Sequence, residues 1–417
     1  MKNTPHIYVN GPVNTVRLEG SVGGIKKVVY LFMDFHADPM HQKKCEDIHS
    51  TNVNTFLVEE FDKLNKSDPN KTYDFLFERG LYYGHQYKDY KTLYLGEISD
   101  LFSKSFKIDI NTNKAQKSDL VPNVRFHYLD ARDFSMQKTQ EMYYSNLSPL
   151  LKQIYRNKMY KDTDLKNIFD LIHSIMTEIS TLYTLFFQTK NWSSNQISKS
   201  YYSQHESTMY KMPHSTNYIL IKQLVNKLMT KYENDDVKKK IRHIIDNELH
   251  ALFVEYLNSL DSALMFVSEE MKRMEKISHS GFKILFQQSD GTYNYGVDYS
   301  ERLSKILRFD KIDKDMSEFL YLGLMIMDLY KLRRILDKKY ITNSLAYTGG
   351  GHSNNYIRLL VKYFGFKITH YSYLKTSIPD AEKIIKQSEH SEELNVLFYP
   401  HVFGQCSDLG SFPKLFD

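Results

Sequence analysis

The spacing of apolar residues changes character twice along the chain. Over residues 6–133, short apolar runs alternate with stretches of helical period. Residues 15–19 and 25–32 flank the loop Gly20-Ser21-Val22-Gly23-Gly24, which predicts a hairpin. Its second strand, residues 27–33, is apolar without alternation, the pattern of a strand covered on both faces of a sheet. It runs into Asp34-Phe35-His36-Ala37-Asp38, and Pro39 ends it. A helical stripe follows in residues 52–64, made by Val53, Phe56, Leu57, Phe61 and Leu64 with Glu60 as its polar exception. Asp68-Pro69-Asn70 is a turn, residues 73–77 a strand, residues 93–106 a helix and residues 124–129 a third strand.

From residue 134 to 340 the strand signal fades and long helical stripes dominate, at 167–187, 218–232, 237–274 and 316–336. Residues 192–214, rich in Ser, Asn, Gln and Tyr, read as a long loop or mobile lid, and residues 287–299 as a turn region. The α/β pattern then returns. Residues 344–347 form a short strand, Gly349-Gly350-Gly351 a turn, and Tyr356, Leu359, Leu360, Tyr363 and Phe364 the apolar side of a helix that Gly365 caps. Residues 366–371 and 395–399 predict two more strands, the last ending at Pro400. Strand, helix, strand, helix, strand at this spacing predicts parallel pairing with crossover helices. The expected class is α/β: a mostly parallel sheet with crossover helices, interrupted by a large all-helical insertion. The expected division is an N-terminal half with its leading hairpin at 1–133, the insertion at 134–340, and a C-terminal part completing the sheet at 341–417.

Composition narrows this picture a little. A chain of 417 residues exceeds one compact core, so subdomains are expected. A formal charge of +5 over this length does not imply nucleic acid, basic residues do not interleave with aromatics, and no helix-turn-helix or zinc motif is present. Two cysteines, Cys45 and Cys406, are too few for a disulfide framework. They read as reduced thiols of an intracellular protein, with Cys45 inert. The first residues, Met1 to His6, lack the apolar core of a secretion signal. The most apolar run, residues 319–327, is interrupted by Asp328 and is too short to span a bilayer.

If the strands are parallel, their carboxyl ends share one edge, where ligands of such sheets bind. The polar residues collect there: Asp34, His36 and Asp38 after the first buried strand, Glu78 and Arg79 after the second, Asp130 and Arg132 after the third, and Gly349 to His352 after the fourth. His370 lies near the end of the fifth. Asp34, His36 and Asp38 alternate in a bent strand end and could converge on Mn, Zn or Fe. Structurally, Asp34 could instead be hydrogen-bonded at the strand end, with Asp38 opening a turn. Glu78 reads either as a general base for water or as the ion-pair partner of Arg79. Arg79 or Arg132 could grip an anionic group. Gly349, Gly350 and Gly351 would let a ligand or cofactor approach the backbone closely, with His352 on the first turn of the helix. On the helical insertion, His243, Asp246 and His250 share one face, which reads as solvated.

Two motif resemblances accompany these residues. Asp34-Phe35-His36-Ala37-Asp38 resembles the DxHxD metal motif of arginase-type ureohydrolases, and Gly349-Gly350-Gly351-His352-Ser353 is similar to their GGDHS element with Gly351 in place of the aspartate. The order histidine, glutamate, histidine, here His36, Glu78 with Arg79, and His352, resembles the erythromycin-esterase, TIKI and ChaN-like superfamily, in which a helical region separates the halves. That resemblance implies a hydrolase-like protein acting on a small-molecule or peptide substrate. The style of the chain also resembles uncharacterised proteins of giant DNA viruses of the mimivirus type. This implies a place in the host cytoplasm (the viral factory) or the virion, and other viral proteins as partners. The competing expectation is a non-enzymatic virion or assembly protein on a degenerate hydrolase scaffold.

Overall fold

The computed structural model describes residues 7–35, 43–80, 93–106, 108–109, 114–115, 118–130, 136–187, 216–275, 282–284, 297–401 and 404–415. The chain divides into two compact units. The first comprises Met1–Ala131, Thr230–Ile241 and Met327–Asp417, the second Arg132–Met229 and Arg242–Ile326. The predicted loop at 192–214 and most of the turn region at 287–299 lie outside the described residues.

In the first unit the chain runs β1 (Tyr8–Asn10), β2 (Asn14–Val22), β3 (Ile25–Asp34), β4 (Lys43–Lys44), β5 (Thr51–Asn52), α1 (Val53–Ser67), β6 (Tyr73–Gly80) and α2 (Leu93–Ser105). A small ribbon, β7 (Ile108–Asp109) and β8 (Lys114–Ala115), precedes β9 (Val124–Asp130). The second unit holds α3 (Gln137–Glu141), a π-turn at Met142–Leu147, α4 (Ser148–Asn157), β10 (Met159–Lys161), α5 (Asp162–Phe187) and α6 (Thr216–Thr230). Then come α7 (Asp235–Ile244), whose residues up to Ile241 belong to the first unit, a π-turn at Ile245–Leu249, α8 (His250–Glu275), β11 (Phe282–Ile284), α9 (Val297–Ser317) and α10 (Phe319–Asp337), whose residues from Met327 belong to the first unit. The first unit closes with β12 (Asn343–Gly349), α11 (Gly350–Phe364), β13 (Lys367–Tyr371), α12 (Ile378–Gln387), α13 (Asn395–Phe398) and β14 (Gly404–Asp408).

The architecture is mixed α/β. The main sheet has six strands in the order β13-β2-β3-β12-β6-β9. Pairing is parallel from β3 through β12 and β6 to β9, and antiparallel where β2 joins β3 and β13. The sheet is therefore mixed, because the leading hairpin is built into it rather than standing beside it. The helical part also carries strand: β10 and β11 pair antiparallel within the second unit. The strand expected at 395–399 is a helical turn instead. Glu393 accepts the backbone N–H groups of Glu389 and His390, which starts a 3-10 turn at Ser391–Leu394 that runs straight into α13.

Strand alternation sorts the sheet's side chains onto two faces. Val28, Tyr30 and Phe32 of β3, Leu345 and Tyr347 of β12, Tyr73, Phe75 and Phe77 of β6, and Phe126 of β9 pack with Val53, Leu57 and Phe61 of α1 and Ile98 and Phe102 of α2. Phe75 is at the middle, its ring centroid 4.9 Å from Phe102, 5.4 Å from Phe126 and 5.8 Å from Phe61. The alternate residues, among them Lys27, Asp74, Leu76, Glu78 and Thr348, face the end of α10 and α11. There the buried Lys27 ammonium donates to the carbonyls of Ile335, Lys338 and Ile341 at 2.9, 2.9 and 2.6 Å, taking up acceptors that the end of α10 leaves unmatched. Burial pushes its pKa down to about 8, against the pull of Asp74 and Asp337.

A second, four-stranded sheet in the order β4-β14-β1-β5 joins the two ends of the chain. It overturns the reading of two free thiols. Cys45, just past β4, is disulfide-bonded to Cys406 of β14, with Cα atoms 4.9 Å apart. The sequence separation of 361 hid this pairing, which only the placement of β14 between β4 and β1 creates. Replacing both cysteines by serine (Cys45→Ser with Cys406→Ser) should lower the unfolding free energy by about 2–4 kcal/mol, because the cross-link closes a very long loop in the unfolded chain. Urea melts of the two proteins measure this, and a thiol assay on denatured wild type should find no free cysteine.

Candidate functional site

The register of the parallel strands assembles the site. Gly349 of β12 pairs with Asp34 of β3, and Tyr347 pairs with Phe77 of β6, so Glu78, near the carboxyl end of β6, comes beside Thr348. β12 passes directly into α11. Thr348 Oγ1 lies 2.8 Å from Ser353 Oγ, and Gly365, at φ 69°, ends the helix in the left-handed conformation that glycine adopts without strain. Helix α11 is unusually polar for a buried element. His352, Ser353, Asn354, Asn355 and Arg358 are all buried.

That polarity is matched by α10 and β6. Asp328 Oδ1 lies 2.7 Å from His352 Nδ1, and His352 Nε2 lies 3.2 Å from Glu78 Oε1. Glu78 Oε2 accepts the Gly349 N–H at 2.6 Å. Asn355 Nδ2 donates to Asp328 Oδ2 at 2.9 Å, and Arg358 donates to Asn355 Oδ1 at 3.3 Å. Asp328, His352 and Glu78 are 0, 4 and 6 % exposed. Burial opposes a charge on the imidazole, and the cation of Lys331 opposes it too. The carboxylates of Asp328 and Glu78 outweigh both and hold the His352 pKa above its ordinary value. Nδ1 is hydrogen-bonded to Asp328 and Nε2 faces Glu78 as an ion-pair partner, so both carboxylates favour the protonated ring. The arrangement can orient a histidine, store a proton on it, and exchange that proton with Glu78.

The three glycines act differently from the expectation. None of them has positive φ, so no left-handed turn demands them. Gly350 is required by crowding: a Cβ there would lie 1.1 Å from the Tyr399 hydroxyl oxygen. The N–H of Gly349 is engaged by Glu78, so a carboxylate of the protein itself occupies that position.

Asp34 belongs to the other face. It is 1 % exposed, and Tyr347, on the α1–α2 side, donates its hydroxyl to Asp34 Oδ1 at 3.0 Å. Tyr94 of α2 and Tyr399 also feel this carboxylate. Burial, with Glu97 and Asp34, pushes Tyr94 up to about 12, and burial with Asp34 raises Tyr399. The structure thus brings Glu78 and His352 into contact and sets Asp34 apart from them, on the opposite side of the sheet. His36, Asp38 and Arg132 lie outside the described residues, as do the side chains of Arg79 and Asp130. His370 is on the edge strand β13, 5.6 Å from the Phe412 ring and separated from β12 by β2 and β3 in the sheet. Among the described residues, no three His, Cys, Asp or Glu side chains are grouped to hold a metal. In the second unit, Asp246 pairs with Arg242 and His250 with Tyr183, while His243 faces Asn247. The residue that sequence reasoning missed is Asp328. Its only signal was a lone carboxylate breaking the apolar run 319–327.

The chain belongs to the family of unknown function DUF5847, which matches residues 7–417. It is similar along nearly its whole length to proteins of a giant virus, Acanthamoeba polyphaga mimivirus. The uncharacterized protein R706 is 33 % identical over 98 % of this chain and 96 % of its own length. The uncharacterized protein R161 is 30 % identical over 98 % of each. A third, R129, is 35 % identical over 40 % of this chain and 92 % of its own length. No solved structure matches the chain. Among the described residues, no helix is long and apolar enough to cross a membrane.

The raised pKa of His352 makes stability depend on pH. The imidazolium's contribution is complete below the ordinary value of 6.5 and is lost as pH rises through the higher folded value. The wild-type unfolding free energy should therefore fall with pH above about 6.5 more steeply than that of His352→Gln, measured by urea melts across the range. Asp328→Asn should cost about 3–5 kcal/mol in the same measurement, since it breaks a buried charge pair on one side only.

Proposed function

We propose that the protein is a hydrolase-like enzyme whose proton-transfer centre is Glu78, His352 and Asp328 at the carboxyl edge of the sheet. The observation that carries this reading is the unbroken line from Asp328 through His352 to Glu78, with contacts of 2.7 and 3.2 Å. In this reading Glu78 takes a proton from water as general base. His352 supplies a proton to the leaving group, and Asp328 fixes the ring and its charge. The chain order His36, Glu78, His352 supports the likeness to the erythromycin-esterase, TIKI and ChaN-like superfamily, and with it a small-molecule or peptide substrate. Arg79 and Arg132 would hold an anionic part of that substrate. A divalent metal (Mn, Zn or Fe) bound through Asp34, His36 and Asp38 would form a separate centre, because Asp34 and Glu78 point to opposite faces.

The alternative is a virion or assembly protein on a degenerate hydrolase scaffold, acting in the viral factory or the particle. The near-complete burial of Glu78 and His352 favours it, since the same line of charges can serve as a clamp between α10, α11 and β6.

Activity screening separates the two. Purified protein would be assayed against chromogenic esters, amides and phosphoesters, with and without added Mn or Zn. The enzyme reading expects turnover that Glu78→Gln reduces by about 10²–10⁴-fold while the fold persists by circular dichroism. Turnover equal in wild type and Glu78→Gln, or none on any substrate class, would favour the clamp.

A further inference from the structure

The two strands joined by the disulfide are anchored very unequally. β14 is held without its cysteine. It pairs antiparallel with β1, Tyr8 opposite Asp408, Val9 opposite Ser407 and Asn10 opposite Cys406. The Gly11 N–H donates to the Gln405 carbonyl at 3.0 Å, and the Leu409 N–H to the Ile7 carbonyl at 2.7 Å. Gln405 and Ser407 are buried, and the Ser407 hydroxyl donates to the Pro12 carbonyl at 3.1 Å. The Asp408 N–H donates to Ser372 Oγ at 2.8 Å.

The segment that carries Cys45 has little of this. From Lys44 to Asn52 no residue is buried, and Ile48 is 90 % exposed. Apolar burial, the dominant force in folding, therefore does not hold it. Its bonds to the rest of the protein, among the described residues, are few. β4 meets β14 over two register pairs, Lys43 with Gly404 and Lys44 with Gln405. The Cys45 N–H donates to Asn10 Oδ1, and Asn10 Nδ2 donates to Ser50 Oγ, both at 2.8 Å. Asp47 accepts the N–H groups of His49 and Ser50, which closes a turn inside the segment and ties it to nothing else. At its far end Thr51 and Asn52 pair with β1, and the fully buried Val53 begins the core. Each exposed hydrogen bond adds little, because water can replace it. The disulfide is thus the strongest tether of residues 43–50. Both of its cysteines are partly exposed, within reach of an attacking thiolate.

We propose that Cys45–Cys406 is a redox latch: oxidised, it clips residues 43–50 onto β14, and reduced by a dithiol, it releases them and uncovers the outer edge of β14. The exchange balances. One thiolate of the dithiol attacks a cysteine sulfur, the protein's S–S bond breaks, and a mixed disulfide forms as the other cysteine leaves. The second thiol of the reductant then displaces the first cysteine and closes a cyclic disulfide. Two electrons and two protons pass to the protein, which ends with two thiols. β14 stays in place through β1, and β4 is the part that moves. The reduced form then presents backbone groups at a strand edge that the oxidised form covers. The latch is independent of the reaction proposed for Glu78.

Hydrogen exchange of the full chain, read by mass spectrometry at labelling times of seconds to minutes, tests this with and without dithiothreitol. A thiol assay on the folded protein should find no thiol before treatment and both cysteines free after it. The amides of residues 44–50 should exchange about tenfold faster or more in the reduced protein, while those of β1 and β12 stay protected in both forms. Reoxidation with glutathione disulfide should restore the slow exchange. The double variant Cys45→Ser with Cys406→Ser should exchange like the reduced protein whether or not dithiothreitol is present. The proposal is overturned if residues 44–50 exchange alike in the two forms, or if dithiothreitol leaves the bond intact in the folded protein. Loss of protection in β1 and β12 together with the strap would also overturn it, because the bond would then hold the whole fold. If the double variant does not fold, the comparison of oxidised and reduced wild type decides by itself.

Discussion

The structure depends on one insertion: β12, from the last quarter of the chain, lies between β3 and β6 from the first quarter. Strands β3 and β6 never touch. Each offers an edge that only β12 completes, through seven register pairs on one side and four on the other. The aromatic core around Phe75 uses Leu345 and Tyr347 from this late strand, so it closes only after the helical part has been made. The candidate site follows from the same insertion. β12 feeds straight into α11, which places His352 against Glu78 of its neighbour.

The price of that arrangement is a buried line of charge. Two carboxylates and a histidine between them are held away from water at the junction of α10, α11 and β6. Such groups are tolerated only when their hydrogen bonds are complete, and Gly349, Asn355 and Arg358 help to complete them. This accounts for the polar character of α11, which would be out of place on a helix that merely filled a core. It also separates the two acidic groups at the carboxyl edge. Asp34 is surrounded by phenols on one face, while Glu78 is tied to histidine on the other.

Much of the local structure was legible in the sequence. The hairpin loop, the continuous apolar run of β3, the helix stripe of α1 and the glycine stop at Gly365 all follow from period and backbone preference. Glu78 and His352 were legible as strand-end and helix-start residues. Their contact was not, because it depends on which strands are neighbours, and β12 beside β6 has no sequence signature. Asp328 was hidden for the same reason, since a carboxylate in an apolar helix signals a partner without naming it. Asp34 was grouped with Glu78 because a shared edge was visible while the faces were not. Face depends on register, and a shift of one residue reverses it. The strand expected at 395–399 was lost to Glu393, whose capping of His390 outweighed a short apolar run.

The cross-link between Cys45 and Cys406 bears on the integrity of the polypeptide. It encloses α1, both sides of the candidate site and the whole second unit within one covalent ring. A backbone cut anywhere inside that ring opens it without releasing a piece. The fragments on either side of the nick stay joined through sulfur, each still carrying strands that the other needs. Loss of mass from within the ring requires two cuts or a reductant, so the bond makes that stretch of chain tolerant of a single proteolytic event.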